Sequence, residues 1–147
     1  MVSKPLRQLV IQRAGNRCEY CGLSQLGQAA TFHIDHVVPV AAGGPTTEEN
    51  LALACVACSL YKGARQKVKD VKTGRSVTIF NPRRQIWTRH FVWAGLEILG
   101  LTPVGRATVD ALKLNRAVIL AIRARGETTR SSSTTLSCLA YSFLIFC

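Results

Sequence analysis

The sequence predicts an α+β fold: a ββα unit pinned at both ends by paired cysteines, followed by a basic α+β extension. Three observations predict it. Two Cys-x-x-Cys pairs, Cys18/Cys21 and Cys55/Cys58, bracket a His-x-Asp-His-x-x-Pro segment from His33 to Pro39. Between the pairs lie two short apolar runs joined by a Gly/Pro loop, and a helical stretch follows the second pair. From Lys62 to Arg89, nine Lys or Arg stand against one acidic residue, Asp70. Four thiolates at this spacing suit one tetrahedral Zn²⁺, bound as a closed structural centre. Such a metal has no open position for water, so any chemistry falls to the segment that it holds in place.

The elements follow in order. Ser3 is placed to cap a short helix with Pro5 near its start, Leu6, Leu9, Val10 and Ala14 as its apolar stripe, and Gly15-Asn16 as its end. Arg7, Arg13 and Arg17 fall mostly on the other side. Cys18 to Gly22 reads as a metal knuckle. Phe32, Ile34 and Val37-Val38 suggest a strand, 41–47 a loop, and Leu51, Leu53 and Cys55 alternate as in a returning strand. Val56 to about Lys67 reads as a helix with Tyr61, Lys62, Arg65 and Lys69 largely solvated. Beyond it, Val77 to Phe80 predicts a short strand and Asn81-Pro82 a turn. Phe91-Val92-Trp93 and Leu96 to Leu101 predict two strands about Ala94-Gly95. Thr102-Pro103 opens a helix toward Leu114, and Arg116 to Arg125 suits either a helix or a buried strand.

We therefore divide the chain into a core at 1–67, a basic extension at 68–126 and a tail at 127–147. In the tail, a polar Ser/Thr-rich stretch precedes an apolar run from Leu136 to Cys147. That run falls short of the ~20 residues a spanning helix needs, so no membrane association is expected. The tail is expected to be poorly ordered and dispensable, and Cys138 and Cys147 have no metal-binding spacing.

With 19 Lys and Arg against eight Asp and Glu, the 147-residue chain carries a formal charge of +11. A protein this basic is expected to meet a polyanion, nucleic acid ahead of an anionic membrane surface. Met1 to Asn16 holds no continuous apolar stretch, so no signal peptide is read and the expected compartment is the cytoplasm. In that setting paired cysteines favour metal over disulfides.

Within the stapled segment, Asp35-His36 is the sharpest pair. A carboxylate is a hard ligand for Mg²⁺ or a similar ion, and an imidazole can take a proton from water at working pH. Strand alternation sends adjacent side chains to opposite faces, so the two converge only at a strand end or bulge. His33 shares a face with Asp35 and suits a second metal ligand, a phosphate contact or a structural role. Asn50 suits a turn, and its amide could also hold the backbone of the loop that carries the base.

Cys-x-x-Cys, Asp35-His36-x-x-Pro39, Gly43-Gly44-Pro45-Thr46, Glu49-Asn50-Leu51, Cys-x-x-Cys and Lys62-Gly63, in this order, resemble the HNH endonuclease family over residues 3 to 66. The resemblance implies a ββα-metal (His-Me finger) nuclease core. It makes His36 the general base, Asp35 the divalent-metal ligand and Asn50 the central Asn that braces the active-site loop. One position departs. The family usually places Asn or His after the last Cys, as the second metal ligand, whereas Ser59 stands here. A hydroxyl reaches less far and binds more weakly, and His33 is placed to supply what Ser59 does not.

The expected activity is hydrolysis of phosphodiester bonds in DNA, with structural Zn²⁺ and catalytic Mg²⁺ or another divalent ion. Lys62, Arg65, Lys67, Lys69, Arg83 and Arg84 would hold the nucleic-acid backbone. The competing class is a zinc-stapled nucleic-acid-binding module without catalysis, which Ser59 favours. A rubredoxin-like iron protein would use the cysteines but leaves Asp35, His36 and the charge unexplained. Oligomeric state and target sequence are not legible.

Overall fold

A computed structural model describes residues 1–126, so the expectations for the 127–147 tail lie outside the described residues. Helix α1 (Lys4–Arg13) starts at Ser3, whose hydroxyl accepts from the Leu6 N–H at 3.4 Å, with Pro5 in the first turn, where an amide hydrogen would have no helical partner. Val10 is buried, with Leu6, Ile11 and Ala14 packed on the same core, but Leu9 is exposed. The row Leu6-Val10-Ala14 rolls the buried stripe toward Ile11 and leaves Leu9 outside it. Arg13 ties the helix to the unit that follows, donating to the Glu48 carbonyl at 2.9 Å and the Leu51 carbonyl at 2.7 Å.

Strands β1 (His33–His36) and β2 (Leu51–Ala54) form an antiparallel ribbon with Asp35 opposite Ala52 and His36 opposite Leu51. Every β2 residue is buried. The sequence predicts a first strand running on to Val38, but pairing stops at His36. Asn50 intervenes there, accepting from Val37 N–H through its backbone and from Val38 N–H through its side chain. Helix α2 (Val56–Lys62) opens on Cys55, whose sulfur accepts from the Cys58 N–H. Its predicted extent to Lys67 is corrected. Gly63 adopts φ +53, a conformation costly for other residues, and its N–H turns back to the Ser59 carbonyl.

The chain after Gly63 builds two more antiparallel hairpins. Strand β3 (Lys67–Lys69), which the sequence reading assigns to the end of α2 and beyond, pairs with β4 (Ser76–Thr78). A four-residue helix, α3 (Trp87–His90), leads into β5 (Phe91–Ala94), which pairs with β6 (Glu97–Gly100) as its hairpin signal predicts. Helix α4 (Pro103–Ala111) starts where Thr102 predicts, with the Thr102 hydroxyl accepting from Gly105 N–H at 3.0 Å. Residues 1–114 form one compact unit. One core cluster joins Val10, Tyr20, Leu51 and Leu53 to Phe80, Phe91, Ile98 and Leu114. A second unit begins at Asn115, and its described residues 117–126 are helical, which settles the helix-or-strand alternative. Among the described residues no helix is long and apolar enough to cross a membrane.

Candidate active site and metal centre

The four cysteine sulfurs of Cys18, Cys21, Cys55 and Cys58 lie within 4.8 Å of one another, and all four residues are buried. Cys21 and Cys55 are 3.8 Å apart, the edge expected (~3.8 Å) for a tetrahedron with Zn–S bonds of about 2.3 Å. Burial pushes the Cys18 thiol well up, and contacts led by Cys18 hold Cys58 up while drawing Cys21 and Cys55 down. Four buried thiols cannot all ionise without a cation between them. The donor set fits Zn²⁺ in a closed structural role.

Strand β1 ends at His36, which brings Asp35 and His36 to one cavity of about 780 Å³ despite their alternation. The cavity is also lined by His33, Ser59 and Arg7. His36 Nε2 lies 2.9 Å from the Thr46 hydroxyl, and His33 Nδ1 lies 2.9 Å from the Ser59 hydroxyl. Asn50, 6% exposed, accepts from Val38 N–H at 2.9 Å and donates to the Val38 and Pro45 carbonyls at 3.0 and 2.9 Å. Its amide thus closes the loop that follows His36. Gly44 is required in that loop, because a Cβ there would sit 1.8 Å from the Val38 carbonyl oxygen.

Residues 18–65 match the HNH endonuclease family.

No curated protein and no solved structure matches the chain. The HNH match spans both cysteine pairs and the whole ββα ribbon, and it implies a nuclease.

Within the HNH segment two side chains converge on Asp35 that the sequence reading did not place there. Lys62 is 1% exposed, and its ammonium lies 3.0 Å from Asp35 Oδ2 while donating to the His36 carbonyl at 2.8 Å. The Tyr20 hydroxyl donates to the same Oδ2 at 3.0 Å. Burial, with the Asp35 charge beside it, pushes the Tyr20 phenol well above its ordinary value, so it remains a donor. Tyr20 lies inside the first Cys-x-x-Cys, and that position was its sequence signal. Thr46 carried a weaker one, in the Gly-Gly-Pro-Thr run.

The six residues expected to meet nucleic acid divide. Arg65, Lys67, Lys69 and Arg84 are exposed, although Arg65 also donates to the Tyr61 and Ala111 carbonyls. Lys62 is corrected from a solvated residue to a buried one, since α2 turns it inward under β1. Arg83 is corrected as well. It pairs with Glu19, whose other oxygen accepts from Leu53 N–H, so the guanidinium fastens the extension to the first knuckle. Trp87 does the same through its indole N–H, which donates to the Tyr20 carbonyl at 3.0 Å.

Proposed function

We propose that this protein is a metal-dependent HNH endonuclease that hydrolyses phosphodiester bonds in DNA. The observation that carries this reading is the convergence of His36, Asp35, His33 and Ser59 on one cavity at the end of β1. Thr46 engages Nε2, so Nδ1 is the nitrogen that would take a proton from water, in the tautomer where Nε2 carries the hydrogen. Asn50 keeps the base oriented by fixing the backbone of the loop. Asp35 and Ser59, with His33 behind the hydroxyl, are the donors that would hold a divalent ion, and oxygen donors of this kind fit Mg²⁺ or Mn²⁺. Such an ion supplies neutralisation of charge on the phosphate and its leaving oxygen. Arg7 lines the same cavity and suits a phosphate contact there. Arg65, Lys67, Lys69 and Arg84 extend the basic surface and give affinity without reading bases.

Nicking of supercoiled plasmid by the zinc-loaded protein tests the reading. Mg²⁺ or Mn²⁺ should convert plasmid to open circles, and EDTA should stop the conversion. A protein that binds plasmid but cuts it no faster than buffer with either ion would support the second reading, a binding module that has lost cleavage. Ser59 favours that second reading, because its hydroxyl is a shorter ligand and is already engaged by His33.

A further inference from the structure

The buried ammonium of Lys62 is a firmly placed charge for which the proposed chemistry has no use. It bridges the pair that matters most, bonding the Asp35 side chain and the His36 carbonyl where β1 ends. Removing a lysine from water this completely is costly without a partner, and Asp35 supplies the opposite charge. Tyr20 adds a hydrogen bond to the same Oδ2, and Oδ1 takes part in neither contact. The two donors come from the two cysteine-bearing segments. Tyr20 sits between Cys18 and Cys21, and Lys62 ends the helix that Cys55 and Cys58 begin. The two segments that carry the thiols therefore each place one donor on the Asp35 carboxylate, Tyr20 and Lys62.

We infer that Tyr20 and Lys62 are positioning residues through which the Cys₄ centre sets the orientation of Asp35 and limits its affinity for the divalent ion. The inference rests on the reading of Asp35 as a cation ligand. With Oδ2 held twice, Asp35 is left with Oδ1 for the cavity. The nearby ammonium opposes a second cation, which keeps binding weak, while the fixed carboxylate keeps the bound geometry uniform. Affinity and turnover should therefore move in opposite directions when Lys62 loses its charge.

The test measures Mn²⁺ binding by the electron paramagnetic resonance signal of free Mn²⁺, together with plasmid nicking at saturating Mn²⁺. It uses the full zinc-loaded chain as wild type, Lys62→Met, Tyr20→Phe and Asp35→Ala. Lys62→Met should bind Mn²⁺ about tenfold more tightly while nicking more slowly, a split that simple loss of folded protein cannot produce. Tyr20→Phe removes one hydroxyl and should shift both quantities in the same sense by about threefold. Should Lys62→Met fail to retain zinc, Tyr20→Phe decides alone. Unchanged Mn²⁺ binding and turnover in the folded variants would overturn the inference even where the wild type nicks plasmid. Equal Mn²⁺ binding by wild type and Asp35→Ala would also overturn it. If wild type does not nick but Lys62→Met still tightens Asp35-dependent Mn²⁺ binding, the nuclease reading fails and the positioning role stands.

Discussion

Asp35 and His36 are adjacent in sequence yet meet different partners. Asp35 is bonded by Tyr20 and Lys62, whereas His36 meets a neutral hydroxyl, that of Thr46. Thr46→Val keeps the shape and deletes that hydrogen bond, so the imidazole loses the contact that orients it. Plasmid nicking should fall by roughly tenfold or more, with the thermal midpoint little changed, since a base that is no longer held in orientation is a poor catalyst. Equal cutting by Thr46→Val would show that other contacts orient the imidazole. The pair itself was legible in the sequence because its motif is local. Lys62 was not, because on α2 taken alone it reads as one more solvated base. Only the packing of α2 beneath β1 turns it inward, and that is a tertiary fact.

Element boundaries were set by interactions of different range, and those of short range were legible. The Ser3 and Thr102 caps and the hairpin of β5 and β6 are all specified within a few residues. Strand β3 was missed because Lys67-Val68-Lys69 carries no strand signal apart from its partner β4. The loop after β1 depends on Gly44 and Asn50 together. Gly44→Ala puts a methyl group into the Val38 carbonyl, so a clear loss of stability is expected, about 1–3 kcal/mol, read from chemical denaturation. The end of β3 offers a pH test. Asp70 is bonded by Arg106 at 3.0 and 2.8 Å and by Thr73 at 2.7 Å, which holds its carboxyl well below the usual carboxylate range. A depressed carboxyl contributes stability above its unfolded value, near ~4, and loses it as the pH falls toward the folded value. Asp70→Asn should therefore lower the thermal midpoint at pH 7, and the gap from wild type should narrow by pH 3. A gap that stays constant across that range would remove Asp70 from the acid response.

For the molecule as a whole, metal and charge are the two global terms. If the cysteine centre holds zinc, elemental analysis should find about one Zn per chain, and Cys55→Ser should lose it together with the fold of the ββα unit. A stable, zinc-free Cys55→Ser protein would contradict that role. Nucleic-acid affinity should fall steeply with salt. Neutralising Lys67, Lys69 and Arg84 together should lower the log-log slope by up to ~0.9 for each phosphate that the variant no longer neutralises on duplex DNA. The central claim is that this zinc-stapled frame presents His36 as a base. The most direct measurement is single-turnover cleavage of duplex DNA by zinc-loaded wild type and His36→Ala, with binding measured in parallel. Binding should persist, while cleavage falls by about 10²–10⁴-fold in the variant. Equal cleavage by the two proteins, or none by either with every divalent ion tried, would contradict the account.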